Sequence, residues 1–318
     1  MLNILVTGAN GFIGRALSER LMVEGYKVRG VFRDSTQMTA RSLGVEMIQI
    51  RGIHSETNWS KVLNGINGIV HLAAKVHVCR RNSADPYALF REINVDGTKY
   101  LAQQAVKAKV RRFVYLSTVK VNGEGRAAPY NEMDIHQPQD AYSFSKWEAE
   151  KILGKIAEET GMEVVIIRSP LVYGPHVKAN FLRLLELVER GVPLPLESVN
   201  NRRSLVYIGN LVDAIVTCVS HPRAAGNTYL VSDGEDVSTP ELIRRISFVL
   251  GKPARLFPFP SVMLKMVGII SGQSVPIDRL LKSLTVDCSK IRRELDWQAP
   301  FSMDQGLSET ARWYKGRR

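Results

Sequence analysis

Tyr142 and Lys146 are the residues whose types and spacing point most directly to chemistry. They stand four positions apart in a segment predicted to be helical, and that spacing places two side chains on one helix face. A phenol has an unperturbed pKa of about 10 and exchanges protons poorly near neutral pH, whereas a neighbouring ammonium group stabilises the phenolate and lowers its pKa. The pair is therefore predicted to give or take the proton of a substrate hydroxyl while a hydride moves on the attached carbon.

A third polar side chain is predicted to lie beside this pair. The apolar run Val114 to Ser117 predicts a buried strand, and the chain then continues directly into Thr118. The Thr118 hydroxyl can form a hydrogen bond with the substrate oxygen and orient it for proton transfer. Thr118, Tyr142 and Lys146 are therefore the predicted catalytic residues.

A glycine-rich turn follows the first predicted strand, Asn3 to Thr7. In its Gly-x-x-Gly-x-x-Gly spacing, the first glycine permits a tight turn, the second lets backbone amides approach a pyrophosphate, and the third allows a helix to pack closely on the sheet. The helix predicted from this turn to about Glu24 points its N-terminal amides at the phosphates. Because the turn follows a strand and opens a helix, it predicts a dinucleotide site. The residues assigned to it are Gly8, Asn10, Gly11, Phe12, Ile13 and Gly14.

The end of the second predicted strand bears on the choice of dinucleotide. NAD-binding proteins usually present an acidic residue here to the adenosine ribose, but this chain has Phe32, Arg33 and Asp34. Arg33 can pair with the 2′-phosphate of NADP, and Asp34 can accept the ribose hydroxyl if the strand ends one residue later. NADP(H) is therefore the favoured cofactor, and NAD(H) stays possible.

Short β-rich runs alternate with helical patterns through the first half of the chain, and helices are predicted from Asn94 to Lys107 and from about Ala141 to Thr160. This alternation predicts an α/β fold, a Rossmann doubly wound parallel sheet with a smaller C-terminal substrate-binding lobe. Prolines punctuate the chain after Arg168, while Leu205 to Ile208 and Thr228 to Val231 predict strands that return to the sheet. We therefore expect a dinucleotide-binding domain at residues 1–170 plus about 203–232, and a substrate lobe at 171–202 and 233–318.

Composition restricts the class of protein. The chain has 318 residues, of which 45% are hydrophobic and 23% charged, as in ordinary globular proteins. Cys79, Cys218 and Cys288 show neither disulfide nor zinc spacing, so we expect no metal and a reducing compartment, the cytoplasm. The start of the chain lacks the features of a signal peptide. The apolar run Val262 to Ile270 contains Lys265 and is too short to span a bilayer, so it predicts a core or amphipathic helix and no stable membrane insertion.

The charge balance is strongly basic. The net charge is +12, from 43 basic and 31 acidic residues, and such a surface attracts nucleic acids, membranes or polyanionic small substrates. The arginine pairs are scattered, and no basic block contains interleaved aromatic residues. We therefore expect no nucleic-acid partner.

Six motifs together resemble the extended short-chain dehydrogenase/reductases, especially the nucleotide-sugar 4-epimerases and 4-ketoreductases. These motifs span most of the chain and are Thr7 to Gly14, His71 to Ala74, Asn94 to Thr98, Leu116 to Thr118, Tyr142 to Lys146, and Arg168 to Pro175.

The resemblance implies roles for individual residues. Tyr142 is the acid–base, Lys146 anchors the nicotinamide ribose, and Thr118 holds the reacting oxygen. The further cofactor contacts that it implies are Leu72, Ala73, Ala74, Asn94, Ser117, Pro170 and Tyr173. The resemblance also places a UDP-linked sugar beside Asn180, Phe181, Arg203 and Arg279, and implies a homodimer through the helices around 94–107 and 141–160.

The chain departs from the 4-epimerase pattern at three positions. Phe32 stands where a ribose-binding Asp is usual, Gly52 where an Asp near the adenine often lies, and Lys120 where a small polar residue is usual. The stretches from Val119 to Glu124 and from Val177 to Phe181 are more similar to bacterial 4-reductases that make UDP-N-acetylquinovosamine for surface polysaccharides, including O-antigen. Lys120 is predicted either to contact substrate or cofactor, or to be a surface lysine.

Two reactions fit this pattern. An epimerase takes hydride from C4 and returns it to the other face, so it gains from permanently bound NAD. A reductase consumes one reduced cofactor per turnover and must exchange it. Arg33 without the usual acidic residue favours reduction by NAD(P)H of the C4 keto group of a UDP-linked 4-keto (2-acetamido-2,6-dideoxy) hexose, with 4-epimerisation as the alternative.

Functions of other classes stay open. A dinucleotide sensor without catalysis is one alternative, although the presence of Thr118, Tyr142 and Lys146 argues against it. A nucleic-acid-binding role motivated by the charge would show steep loss of affinity with salt. A metal hydrolase using His71, His77 and Cys79 lacks a partner carboxylate pattern.

Overall fold

The computed structural model describes residues 2–33, 44–76, 86–270 and 274–317. Seven parallel strands form one sheet in the order β3-β2-β1-β4-β5-β6-β9. These strands are β1 (Asn3–Thr7), β2 (Lys27–Phe32), β3 (Glu46–Gln49), β4 (Gly68–His71), β5 (Arg112–Thr118), β6 (Glu163–Ser169) and β9 (Thr228–Leu230). The prediction of a Rossmann α/β fold is confirmed.

The strand order reverses between β1 and β4. Thr7, the last residue of β1, pairs with Val31 of β2 on one side and with His71 of β4 on the other. In open parallel sheets, ligands bind outside the carboxyl ends of the strands at such a switch point. The sheet therefore positions the glycine turn and the end of β4 at the expected edge.

Helices cover both faces of this sheet, because alternate strand residues point to opposite sides. Ile4, Val6 and Val114 belong to one apolar cluster, whereas Leu5 and Phe113 belong to the other. The helices are α1 (Phe12–Val23), α2 (Ser60–Leu63), α3 (Pro86–Arg91), α4 (Thr98–Lys107), α5 (Ala141–Thr160), α6 (Ala179–Glu189), α7 (Ile208–Ser220), α8 (Thr239–Leu250), α9 (Ser261–Ile270), α10 (Ser274–Leu281), α11 (Ser289–Leu295) and α12 (Met303–Lys315).

A second, three-stranded sheet has the order β10-β8-β7 and contains β7 (Leu171–Tyr173), β8 (Arg203–Tyr207) and β10 (Asp236–Val237). The prediction that the strand around Leu205 returns to the large sheet is therefore wrong. This strand pairs instead with β7 in parallel and with β10 in an antiparallel register. The strand expected from Thr228 does join the large sheet, beside β6.

Two predictions about helices can be compared with the structure. The helix predicted from Asn94 is interrupted, because a π-helical turn at Glu92–Gly97 connects α3 to α4. Within the part of the chain that the structure describes, no helix is both long and apolar enough to cross a membrane.

Candidate active site

The glycine turn has the close contacts that its sequence spacing predicted. Gly8 has a φ of +69°, and a Cβ there would meet the backbone of Ala73 at 3.2 Å. A Cβ on Gly14 would lie 2.1 Å from the Gly8 carbonyl oxygen, so only glycine lets α1 approach the turn this closely. Gly11 is the N-cap of α1, and its cap position has no side-chain hydrogen bond. The backbone amides at the start of α1, including those of Phe12 and Ile13, therefore donate no hydrogen bond to an N-cap side chain.

A buried hydrogen-bond chain joins the ends of β1 and β4. The Thr7 hydroxyl accepts from the backbone amides of Leu72 and Ala73, at 3.1 Å each, and it lies 2.7 Å from His71 Nδ1. Since both acceptor positions of Thr7 are used, its proton goes to Nδ1, and His71 Nε2–H donates to the Thr98 hydroxyl at 2.9 Å. Burial, and then the charge of Lys146, lower the pKa of His71 to about 3.

The His71 ring is therefore neutral and engaged at both nitrogens. It orders the loop that carries Leu72, Ala73 and Ala74, which are all partly buried. Among the described residues, no group of three or more His, Cys, Asp or Glu side chains could hold a metal ion. His77 and Cys79 of the metal-hydrolase alternative lie outside the described residues, as does Asp34.

Asn94 holds this loop against the helix that carries the predicted acid–base. Its side-chain oxygen accepts from the Lys75 amide at 2.8 Å, and its amide nitrogen donates to the Lys75 carbonyl at 3.0 Å. The same nitrogen donates to the Ser145 hydroxyl at 3.0 Å. Because Asn94 lies in the π-helical turn, its buried side chain is placed where an extra residue widens the helix, a feature frequent at functional sites.

The predicted acid–base lies in the first turn of a strongly capped helix. Asp140 is the N-cap of α5, and its carboxylate accepts from the Ser143 amide while the Ser143 hydroxyl pairs with the Asp140 backbone. Such a capping box satisfies two helix-terminal amides. Tyr142 and Lys146 therefore lie on a helix whose start is stabilised by the capping residues Asp140 and Ser143.

Lys120 connects this helix to the strand end that carries Thr118. Its ammonium lies 2.9 Å from Asp140 Oδ2 and also pairs with Glu124, and its backbone amide donates to the Thr118 hydroxyl oxygen at 3.3 Å. Burial raises the pKa of Asp140, but the hydrogen bonds from Ser143 and Lys120 outweigh this and hold it below its usual value. Lys120 is thus an ion-paired link between Thr118 and the start of α5, rather than an unpaired surface lysine.

Replacing Lys120 with Met should lower kcat by about tenfold while leaving the affinity for the dinucleotide nearly unchanged, because a displaced acid–base misaligns proton transfer. Lys120→Arg should restore most of the activity, since it keeps the charge beside Asp140 and Glu124. The measurement is steady-state kinetics of both variants together with a cofactor-binding titration. An unchanged kcat for Lys120→Met would show that the ion pairs do not position Tyr142.

Lys146 lies in an unusually apolar position for a lysine. The residue is 2% exposed, and its ammonium lies 3.9 Å from the centroid of the Tyr115 ring. None of the ion pairs among the described residues involves it. Burial lowers the pKa of Lys146 to about 7, against a smaller opposing contribution from Glu150.

The sequence predicted that Lys146 lowers the pKa of Tyr142, but the protein's own groups raise this pKa instead. Loss of hydration raises the pKa of the Tyr142 phenol, and the negative charge of Asp140 raises it further. Lys146 does not offset this, because burial lowers its own pKa and its ammonium faces the Tyr115 ring. A cationic group on a bound ligand would favour the phenolate and oppose these two effects.

Several observations fit a dinucleotide at this edge of the sheet. The Ser117 hydroxyl, at the end of β5, is buried and has no hydrogen-bond partner in the described part of the structure. Ser117 lies at the carboxyl edge of the sheet, as do the glycine turn and the uncapped start of α1. The Ser117 hydroxyl has no partner, the glycine turn leaves space that a Cβ would fill, and the first amides of α1 are uncapped. Together these groups can bind phosphate and ribose oxygens. These residues therefore fit a nicotinamide dinucleotide.

Arg33 lies at the carboxyl end of β2 and is exposed, whereas Phe32 before it is 6% exposed. The Arg33 carbonyl accepts a hydrogen bond from the Gln49 side chain at 3.4 Å. An aromatic ring in the core thus stands where an acidic residue is usual, and a cation follows it.

The remaining predicted residues occupy different environments. Pro170 is buried between β6 and β7, and Tyr173 is buried with its hydroxyl donating to Asp233 at 2.8 Å. The Phe181 ring stacks on Tyr173 at 5.4 Å, whereas Asn180 before it is exposed.

The two arginines predicted to contact the diphosphate lie in neighbouring segments. Arg203 begins β8 and donates to the Lys282 carbonyl at 3.1 Å, close to the end of α10. Arg279 lies within α10, but its side chain is outside the described residues. Their roles in binding a diphosphate stay predictions.

A buried ion pair behind the site escaped the sequence analysis. Arg168 and Glu150 are 3% and 5% exposed, and Arg168 Nη2 lies 2.6 Å from Glu150 Oε2. Arg168 also donates to Asn122 Oδ1 at 3.1 Å, so it joins β6, α5 and the turn after Thr118. The isolated charge within the apolar strand run Val164 to Arg168 was the one available signal, because buried charges require partners.

The parallel sheet, the glycine turn at its switch point and the Tyr-x-x-x-Lys helix beside it define an enzyme of the extended short-chain dehydrogenase/reductase type. Residues 4–232 match the model of the NAD dependent epimerase/dehydratase family. The chain belongs to this family, which confirms the prediction of a nicotinamide-dependent enzyme.

Individual relatives are similar over nearly the whole chain. The UDP-glucose 4-epimerase of Vibrio cholerae is 42% identical, over 97% of this chain and 94% of its own length. The N-acetyl-alpha-D-glucosaminyl-diphospho-ditrans,octacis-undecaprenol 4-epimerase of Escherichia coli O157:H7 is 25% identical, over 98% of this chain and 95% of its own length. The UDP-glucuronic acid 4-epimerase of Bacillus cereus, solved in complex with NAD, has a TM-score of 0.82 and 22% identity, covering 99% of both chains.

Proposed function

We propose that this protein transfers a hydride between a nicotinamide dinucleotide and C4 of a UDP-linked hexose, and that it does so as a 4-epimerase. The observation that carries the proposal is that Thr118 and the start of α5, which bears Tyr142, are tied together through Lys120 and Asp140. The 42% identity to the Vibrio cholerae UDP-glucose 4-epimerase supports the substrate and the epimerisation.

The chain's own residues account for the proton and for orientation. Thr118 donates to or accepts from the oxygen at C4, and Tyr142 takes the proton of that oxygen when C4 is oxidised and returns it when C4 is reduced. Lys146 and Asn94 hold the ribose side of the site, and Ser117 offers its unpaired hydroxyl. When bound, the nicotinamide supplies the hydride acceptor and donor, as well as a positive ring that favours the Tyr142 phenolate.

The second candidate is reduction of the C4 keto group of a UDP-linked 4-keto (2-acetamido-2,6-dideoxy) hexose by NAD(P)H. The specific observation in its favour is Arg33, exposed at the end of β2, together with the buried Phe32 in place of an acidic residue. A guanidinium there suits a 2′-phosphate, and an enzyme that oxidises NADPH must exchange the resulting NADP⁺ for NADPH after each turnover.

The two reactions are separated by product analysis of the purified enzyme. Incubation with NAD and either UDP-glucose or UDP-N-acetylglucosamine should give the C4 epimer, seen by nuclear magnetic resonance of the sugar protons. A parallel reaction with NADPH and a UDP-4-keto-6-deoxy-N-acetylhexosamine follows the absorbance of the reduced cofactor. Stoichiometric loss of that absorbance without epimerisation would replace the first candidate with the second, and no reaction with any of these sugars would contradict both.

Arg33→Ala tests the dinucleotide preference. If Arg33 contacts the 2′-phosphate, the variant should lose roughly tenfold or more in affinity for NADPH and little for NADH, since a charge-assisted bond to phosphate is removed. Fluorescence titration of both cofactors measures this. The matched control is Lys27→Ala, which removes an exposed cation from the opposite end of the same strand. Equal losses for the two cofactors would mean that Arg33 does not read the 2′-phosphate.

We also propose that the active form is a homodimer packed through α4 and α5. The Phe144 ring at the start of α5 makes edge-to-face contacts with Tyr87 of α3, at 5.4 Å, and with Trp147, at 5.5 Å, and Phe144 is 40% exposed. Such an exposed aromatic group supports an interface on this face.

A further inference from the structure

Helix α9 turns its apolar residues outward. Val262 is 67% exposed, Met266 57% and Ile270 84%, and their spacing of four residues places them in one stripe along the helix. Met263 and Ile269 widen the stripe, at 49% and 71% exposure. The sequence predicted a core or amphipathic helix here, and the structure excludes the core position, because of the described side chains of α9 only Leu264 is buried.

The sequence that flanks this stripe is basic. Between Glu241 and Asp278 the sequence has no acidic residue and five basic ones. Arg244 and Arg245 of α8 are paired with carboxylates. The other three, Lys252, Arg255 and Lys265, are exposed and take part in none of the ion pairs of the described residues.

We infer that α9 docks on the surface of an anionic lipid bilayer. A helix of 10 residues is about 15 Å long, too short to span the hydrocarbon core but suited to lying flat at the headgroup boundary. There the stripe would leave water, and Lys265 on the same helix would face lipid phosphates.

Charge complementarity favours lipid over a second copy of this chain. Two α9 helices in contact would bring Lys265 of each copy close to that of the other, and the sequence between Glu241 and Asp278 has no carboxylate to compensate. An anionic surface attracts the same charges. The association is expected to be reversible and to weaken with salt, because a single short apolar stripe buries little area.

The test is co-sedimentation of the full-length protein with vesicles. Wild type should bind vesicles made of equal parts phosphatidylcholine and phosphatidylglycerol and should bind pure phosphatidylcholine weakly. The double variant Met266→Glu/Ile269→Glu should lower the partition onto anionic vesicles by at least about tenfold, since it removes apolar contacts and adds repulsion. The control is Val23→Glu, which replaces an apolar residue of similar exposure, 82%, at the end of α1, and it should bind as wild type does.

Two results would overturn the inference. One is equal partition of wild type and the double variant. The other is light scattering, without lipid, that shows wild type in a larger assembly which the double variant dissociates, because a second copy would then cover the stripe. Unfolded protein is recognised by circular dichroism, which should be the same for all three proteins. The outcome does not depend on which sugar the enzyme converts.

Discussion

Tyr142→Phe should lower turnover by roughly a hundredfold or more and leave dinucleotide binding nearly intact. Removing one hydroxyl oxygen takes away the group that gives or takes the proton at O4, and general acid–base help is worth this much. The substitution keeps the aromatic ring and its contact with Phe90, whose centroid lies 6.2 Å away. Capping of α5 depends on Asp140 and Ser143 and is unaffected.

Steady-state kinetics and a cofactor titration measure these two effects separately. Tyr100→Phe is the matched control, because it removes the hydroxyl of a partly buried tyrosine on α4. A Tyr142→Phe enzyme with wild-type turnover would remove this phenol from the mechanism. Equal losses of turnover and of cofactor affinity would assign the residue a binding role instead.

The raised pKa of Tyr142 also predicts that proton transfer depends on the cofactor. Because loss of hydration and Asp140 both raise it, the phenol of the protein alone is a poor base at neutral pH. Proton transfer should therefore be efficient only in the presence of the oxidised cofactor, whose positive ring opposes these effects.

Lys146→Met should abolish most activity and yet stabilise the cofactor-free protein near pH 7. The folded-state pKa of Lys146 is lowered from 10.5 to about 7 by burial. Between these two values the unfolded chain binds more protons than the folded one, so the free energy of unfolding rises with pH in this window. At neutral pH the lysine therefore destabilises the fold by several kcal/mol, since each pKa unit corresponds to about 1.4 kcal/mol.

Methionine removes this penalty and still fills the space over the Tyr115 ring. The variant should unfold at higher denaturant concentration than wild type near pH 7, and the difference should shrink roughly two pH units higher. Lys151→Met is the control, because that lysine also lies over an aromatic ring of α5, 3.8 Å from the Trp147 centroid, but is exposed. A Lys146→Met protein that is less stable than wild type near pH 7 would show that the ammonium contributes more to the fold than its burial removes.

Local patterns were sufficient to predict the elements that carry the site. β1, α1 and β2 follow from periodicity and the glycine spacing, and α5 has the bounds that the sequence predicted, Ala141 to Thr160. The family match confirms the reading of these motifs as nicotinamide chemistry.

The features that sequence reasoning missed depend on contacts between distant residues. β8 has the same apolar character as a strand of the large sheet, and its pairing with β7 is set by a partner over 30 positions away. The sequence does not indicate that Lys120 pairs with Asp140, because the two residues meet only in the folded chain. The Arg168–Glu150 pair was missed for the same reason, since it joins a strand to a helix. The outward face of α9 was missed because helical periodicity identifies an apolar stripe but not the side on which it lies.

The most direct test of the central claim is to follow deuterium placed on C4 of whichever UDP-hexose the enzyme turns over. Hydride transfer predicts that the label stays on C4 of the epimeric product, or passes to the nicotinamide ring if the enzyme works as a reductase in reverse, as mass spectrometry of both pools would show. Release of the deuterium into water would contradict the account, since it would mean that C4 loses a proton rather than a hydride.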